Sequence, residues 1–330
     1  MIHFIPHQNF YYTRMMLFSW ICDSTPTSLS QSNGEHFVEL LKKEIPSDSE
    51  LLIVNCNNIT DIDDHFIDPI SEYLISTKKE IIFFSTNNDS IFIDHFNTHF
   101  KSSIHSNIKY FDEGGIESFC FVNDDFCSST VKKTINDALD LEKQWVIKEV
   151  KKTYMKFDNQ QTLSSTPLVA SGEFNAFMLI SEPSKFRWIA ILLAERINRV
   201  IQEDRPSSYT IIAVSLRGAA IAGAVWEILH FLSSPRIHIV DHIGPRHDIL
   251  NSSIKEQNIN SNYCVYVGDF LIAGTEAKIA SAYCNFLGGN IRHAFVIGKY
   301  TKQESLSNTM QLHSLVSLKD CISDLSYTLD

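Results

Sequence analysis

Val265-Tyr-Val-Gly-Asp-Phe-Leu-Ile-Ala-Gly-Thr275 passes from an apolar stretch, through a lone carboxylate at Asp269, into a small-residue turn. The spacing predicts a strand over 263–267, a loop over 268–274 and a helix over 275–287. Ala273 and Gly274 are small enough for an anion to approach the backbone. Thr275 supplies a cap and a hydroxyl where the first amides of a helix lack intrahelical partners. Asp269, at the strand end, suits a sugar diol or a metal ion held by a sugar phosphate. The same residues also read as a plain strand-to-helix turn with a Thr cap and a capping Asp, so this segment alone leaves both readings open.

The flanking sequence repeats the pattern. A helix over 184–203, a strand over 209–214, the turn Ser215-Leu-Arg-Gly218, a helix over 219–232 and a strand over 236–240 precede a polar loop at 241–262, and a strand over 291–297 follows. Strands that alternate with helices and whose apolar runs are nearly continuous predict a parallel sheet covered on both faces. Such sheets bind ligands at the carboxyl ends of their strands. Ser215-Leu-Arg-Gly218 sits at one of those ends, and Arg217 offers a planar fork of donors to phosphate oxygens. Two anion-suited loops in one sheet point to a ligand with two separated phosphates.

On these residues the C-terminal half resembles a type I phosphoribosyltransferase, and within that group the orotate phosphoribosyltransferases. The family's hallmark is a hydrophobic strand, two acids and a small-residue loop ending in Gly-Thr, met here by Val265 to Thr275. Ser215-Leu-Arg-Gly218 resembles the pyrophosphate loop, and Leu168-Val-Ala-Ser-Gly-Glu-Phe-Asn-Ala-Phe177 resembles the segment that forms part of the hood over the base. The order agrees over about 165–320. The resemblance implies a site for 5-phosphoribosyl 1-pyrophosphate with Mg²⁺. Ala273, Gly274 and Thr275, with Ile272 beside them, would take the 5-phosphate, Asp269 the ribose hydroxyls and the ligand-borne Mg²⁺, and Ser215, Leu216, Arg217 and Gly218 the pyrophosphate.

The departures from the family are specific. Gly268 stands where the first acid belongs, leaving one carboxylate for the ribose diol. The mobile loop of orotate enzymes brings Lys and Arg over the pyrophosphate, whereas Asp241-His-Ile-Gly-Pro-Arg-His-Asp248 opens on an acid, with Arg246, His247 and Lys255 as substitutes. Asp269, Arg246 and His247 are the catalytic candidates. Ile272, after Leu271, stands where purine-type members keep an acidic base, which disfavours purine salvage. His242 and His247 have no carboxylate-rich ligand set fixed by spacing, and with Asp241 and Asp248 they read as solvated loop residues.

Residues 1–128 alternate strand-like runs such as Leu51-Leu-Ile-Val54 and Glu80-Ile-Ile-Phe-Phe84 with helical stretches, predicting a smaller α/β domain. Residues 129–164 read as a connecting helix and a polar linker (Asn159-Gln-Gln-Thr-Leu-Ser-Ser-Thr166), and 165–330 as the phosphoribosyltransferase-like domain. Residues 35–110 are faintly similar to STAS domains, whose strand, turn and helix form a protein-docking surface. Asp64 stands at the place of their switch serine, and Asp63 and Asp64 equally suit helix capping. Acids at Asp112, Glu113, Glu117, Asp124 and Asp125 read as a solvated face, or as a surface for a basic partner.

Over the whole chain, 330 residues at 44% apolar, 20% charged and a net charge of −11 provide a sizeable core but no basic footprint for direct nucleic-acid binding. The apolar run Trp188-Ile-Ala-Ile-Leu-Leu-Ala194 falls short of the roughly 20 residues that a bilayer span needs, and no signal peptide is recognisable. The expectation is a cytoplasmic protein without a membrane segment. Seven cysteines without a C-x-x-C pair read as buried thiols.

Three functions are then open. One is a non-catalytic sensor or effector that binds phosphoribosyl pyrophosphate or a nucleotide and passes its state to a protein partner through residues 1–128. Fusions of this kind resemble accessory proteins of bacterial stress or phage defence. The second is an active orotate-type transferase with a pyrimidine-like acceptor, and the third is a structural subunit. The missing first acid and the unusual loop favour the sensor, and the resemblance also implies a homodimer.

Overall fold

The computed structural model describes residues 4–15, 28–46, 51–57, 59, 61–62, 64–86, 98, 108–122, 127–163, 168–240, 263–300, 305–306 and 310–329. The chain divides into two compact units, Met1–Gln144 and Trp145–Asp330. Among the described residues no helix is long and apolar enough to cross a membrane.

The first unit is built on a mixed sheet containing β1 (Phe4–Pro6), β2 (Tyr11–Arg14), β4 (Leu51–Asn55), β6 (Glu80–Ser85), β7 (Ile108–Glu113) and β8 (Ile116–Phe121), in the order β1-β2-β4-β6-β8-β7. A short parallel pair, β3 (Ser28–Leu29) with β5 (Asp61–Ile62), lies apart from it. Strands β2, β4 and β6 are parallel, and the β7–β8 hairpin adds antiparallel to β6. Its turn is Gly114-Gly115, both at positive φ (62° and 79°), the backbone that a tight hairpin demands and that glycine adopts freely. Alternate residues of the sheet (Leu52, Val54, Ile81, Phe83) pack against Phe37 and Leu41 of α1 (Gln31–Glu44) and Ile70 and Leu74 of α2 (Ile67–Thr77). Buried Arg14 is neutralised by Glu142, whose carboxylate also accepts from Arg14 Nη2 at 2.8 Å and from the Tyr12 hydroxyl at 3.1 Å. A buried charge needs this degree of pairing.

The α/β character expected of this half is therefore present. Asp64 opens a 3-10 turn (Asp64–Phe66) leading into α2, while Asp63, Asp124 and Asp125 lie outside the described residues. Asp112 and Glu117 face each other across the β7–β8 hairpin. Helix α3 (Ser128–Lys152) runs through the division between the units.

The second unit holds a five-stranded, wholly parallel sheet, as its continuous apolar runs require. Its strands are β11 (Thr210–Val214), β12 (Arg236–Val240), β13 (Cys264–Leu271), β14 (Ile291–Lys299) and β15 (Gln311–Ser317), in the order β12-β11-β13-β14-β15. Helices α5 (Pro183–Asp204), α6 (Ser215–Ser233) and α7 (Thr275–Phe286) flank it. Ile212, Tyr266, Ala294 and Val296 pack with Ala277, Ala280 and Tyr283 of α7, while Trp188, Ile191 and Leu193 of α5 are fully sequestered. A small antiparallel sheet joins β9 (Tyr154–Thr162), β10 (Leu168–Phe174) and β16 (Tyr327–Leu329), and two short helices, α4 (Phe177–Ile180) and α8 (Leu318–Cys321), complete the unit.

Four local expectations change. The polar run from Asn159 is strand through Thr162 rather than linker, because Gln161 and Thr162 pair with Ala170 and Val169 of β10, resuming across an irregularity the ladder that joins Tyr154–Lys156 to Gly172–Phe174. Its largely exposed side chains show that ladder bonds, not apolar burial, hold this strand. Strand β13 continues to Leu271 instead of ending at Val267, since the longer β14 pairs Gly268, Phe270 and Leu271 with Val296, Gly298 and Lys299. Ser215-Leu-Arg-Gly218 is the first turn of α6 rather than a separate loop. Finally, Cys56, Cys120, Cys264, Cys284 and Cys321 are buried as expected, but Cys127 is exposed. The Ser129 and Thr130 side chains lie against its sulfur and bring the thiol down to about 7. Cys22 lies outside the described residues.

Candidate functional site

The strand order explains where a ligand would sit. From β11 the chain moves outward to β12, then crosses back to lay β13 on the other side of β11. The segments leaving β11 and β13 therefore diverge, and such a reversal opens a crevice at the carboxyl ends of the strands. A cleft lies there, lined among others by Arg217, Tyr266, Asp269, Gly274, Thr275 and Glu276. Its volume is about 100 Å³, against roughly 10–15 Å³ needed for one water by the same measure, which is room for an anchoring group such as phosphate or part of a sugar.

Asp269 lies within β13, held by the ladder to β14, and is 6% exposed. Its Oδ1 accepts from the Phe270 amide at 2.7 Å, and its Oδ2 lies 3.1 Å from Arg217 Nε. Burial pushes its carboxyl above the usual range, while the Arg217 guanidinium and the Phe270 amide draw it back in part. Arg217 projects from the first turn of α6, which Ser215 opens at φ 69°. A non-glycine residue in that left-handed region is uncommon and marks a backbone held by its surroundings. The Gly218 amide points back to Ser215 Oγ at 3.4 Å.

The start of α7 is equally determined. Gly274 caps the helix at φ 73°, and a Cβ there would run into the Leu306 side chain. The left-handed backbone favours glycine, and a larger residue would also have to displace the end of the Leu306 side chain. The start of α7, from Gly274 to Ala277, lines the cleft, and the first amides of a helix lack intrahelical partners, which favours an anion there. Ile272 instead packs against the small cluster of Leu163, Leu168 and Ala170.

The structure brings Arg217, Asp269, Ile272, Ala273, Gly274 and Thr275 to one cleft. Leu168, Glu173 and Phe174 of the hood-like segment line it too, with the Phe174 ring 5.2 Å from that of Phe270. Ser215, Leu216 and Gly218 do not line it, and Leu216 is 75% exposed. Asp241, His242, Arg246, His247, Asp248 and Lys255 lie outside the described residues.

Three lining residues escape a motif-based reading. Glu276 follows Thr275 in the first turn of α7, where an acid ordinarily looks like simple helix-dipole compensation. Burial, and then the Asp269 carboxylate, push its carboxyl up to about 7, with Arg217 opposing. Glu173, within the hood-like stretch, belongs to β10, and only its place in the fold brings it to the cleft. Tyr266 lies two residues before Gly268 and so on the same face of β13. A Cβ at position 268 would lie 2.5 Å from the Tyr266 hydroxyl. The absent acid and the Tyr266 ring therefore compete for one volume. Among the described residues no group of three or more His, Cys, Asp or Glu side chains could hold a metal ion.

No protein-family model matches this chain, and no curated protein does. Several solved structures are similar to part of it. The orotate phosphoribosyltransferase of Aeropyrum pernix is 18% identical, with a TM-score of 0.40 over 54% of this chain and 97% of that one. The orotate phosphoribosyltransferase of Mycobacterium tuberculosis H37Rv is 14% identical, with a TM-score of 0.40 over 55% and 99%. The adenine phosphoribosyltransferase of Saccharomyces cerevisiae is 14% identical, with a TM-score of 0.38 over 52% and 99%. The solved structures to which about half of this chain is similar thus include both orotate and adenine phosphoribosyltransferases.

Proposed function

We propose that the C-terminal unit binds phosphoribosyl pyrophosphate or a nucleotide in this cleft, and that the chain works as a divergent sensor or effector with a protein partner. The observation that carries the reading is the convergence of Arg217, Asp269 and the Gly274-capped start of α7 at the carboxyl ends of β11 and β13. The α7 amides and Thr275 take a terminal phosphate, Asp269 holds ribose hydroxyls, and Arg217, released from Asp269, turns its fork to a second phosphate. Asp269 and Glu276 would oppose a bare polyanion. A ligand that carries Mg²⁺ relieves that opposition, with the ion held chiefly by ligand oxygens and Asp269 as the protein donor. Bound there, the ion would neutralise phosphate charge.

The second reading, an orotate-type transferase, requires the bond from the anomeric carbon to pyrophosphate to break while a base nitrogen takes its place. The retained Asp269 and Arg217 favour it, but a site with one acid in place of two grips the ribose less firmly. In the sensor reading the N-terminal unit carries the partner surface.

Calorimetric titration of the full chain with phosphoribosyl pyrophosphate and Mg²⁺ tests the proposal, beside an Asp269→Asn, Thr275→Ala chain. Removing a charged ligand contact and a hydroxyl is expected to weaken binding by roughly tenfold or more. A parallel screen of pyrimidine-like bases should release no pyrophosphate, and base-dependent release would establish the transferase reading instead. A folded wild-type chain that binds nothing would overturn both.

A further inference from the structure

We propose that the Tyr266 hydroxyl replaces the absent first acid as a ribose-binding group, an inference that rests on the reading of the cleft as a phosphoribosyl site. Tyr266 is 3% exposed, yet it lines the cleft. Its side chain lies along β13 so that the hydroxyl stands 2.5 Å from where a Cβ of residue 268 would begin, with Cε1 at 2.8 Å from the same point. The polar atom nearest to the missing carboxylate's origin is thus a phenol, delivered from two residues upstream on the same strand face.

The hydroxyl has no hydrogen-bond partner among the described residues, and it is not among the fully enclosed polar atoms without one. Buried tyrosine hydroxyls usually find a partner, because an unmade bond is costly. Tyr266 lines the cleft, so a ligand bound there is the partner that we assign to its hydroxyl. Glu276, Asp269 and Arg217 are its charged neighbours, and burial with the two acids keeps the phenol protonated.

The exchange alters the chemistry of the grip. A carboxylate only accepts, whereas a neutral phenol both donates and accepts and adds no charge beside Asp269 and Glu276. The ligand class is therefore a phosphorylated sugar with a free hydroxyl at this point, held by one charged and one neutral group.

The test is titration of wild-type and Tyr266→Phe chains with two probes, ribose 5-phosphate and inorganic phosphate, both with Mg²⁺. The variant keeps the ring and its packing. It is expected to bind ribose 5-phosphate about 5- to 15-fold more weakly, the loss of one hydrogen bond, with phosphate affinity unchanged and the thermal midpoint not lowered. Equal affinity of the two chains for ribose 5-phosphate, or an equal loss for both probes, would overturn the inference and leave the parent reading intact. Failure of the folded wild type to bind ribose 5-phosphate would instead overturn the phosphoribosyl reading, and this inference with it.

Discussion

Gly268→Asp, which restores the acid pair of the family pattern, is expected to destabilise the C-terminal unit by roughly 2–5 kcal/mol. The new Cβ would overlap the Tyr266 hydroxyl and the adjoining ring edge, and Tyr266 packs in the cluster with α7, so the ring has to shift against its neighbours. Overpacking of this kind costs about 1–3 kcal/mol. A carboxylate placed there also lies near Asp269 and Glu276, and a buried charge without a cation of its own adds a comparable penalty. Tyr266→Val removes the obstructing ring and has its own cost as a cavity. Because the two positions share one volume, the loss in the double variant should fall short of the sum of the single losses by roughly 1–3 kcal/mol. Urea denaturation of the four chains measures the cycle. Additive losses, or a Gly268→Asp chain as stable as wild type, would show that Tyr266 does not exclude the acid.

Glu276→Gln should stabilise the protein in a pH-dependent way. The folded carboxyl is pushed up to about 7 from an ordinary value of 4.5. As pH rises from 4.5 towards 7, the unfolded chain releases this proton while the folded chain retains it. The folded state binds more protons in that window, so stability falls with rising pH and the penalty is complete above about 7. The glutamine variant escapes the penalty. Allowing for partial solvent screening, its advantage over wild type should be roughly 1–2 kcal/mol larger at pH 8.5 than at pH 5.5. Loss of the favourable charge at the start of α7 works against this by about 0.3–1 kcal/mol, but only where the folded carboxyl is ionised, above about pH 7, and so trims the difference between the two pH values without reversing it. Denaturation of both chains at the two pH values decides the matter, and an advantage that does not change with pH would refute it. The same protonation bears on ligands, because a neutral Glu276 no longer repels a phosphate at the helix start. Anion binding by the wild type should therefore tighten as pH falls through 7, and the variant should lose that dependence.

The N-terminal α/β character and the parallel sheet of the C-terminal unit were legible from residue order. A strand buried on both faces must be apolar nearly throughout, so the strands expected at 209–214 and 291–297 are found at Thr210–Val214 and Ile291–Lys299. The sequence marked Gly274 only as a small residue and gave the cap to Thr275, whereas in the fold Gly274 itself is the cap, at a left-handed φ that favours glycine, and Thr275 is the first helical residue. Tertiary structure decided what pairing and proximity control. The polar run of β9 became a strand because β10 met its backbone, and β13 reached Leu271 because β14 was long enough to pair with it. Arg217 and Asp269, far apart in the chain, meet only because β11 and β13 are neighbours. The raised Glu276 carboxyl and the Tyr266 hydroxyl over Gly268 belong to the same class. Local sequence specifies which face a side chain takes, but its desolvation and its partners are set by segments that reach it only on folding.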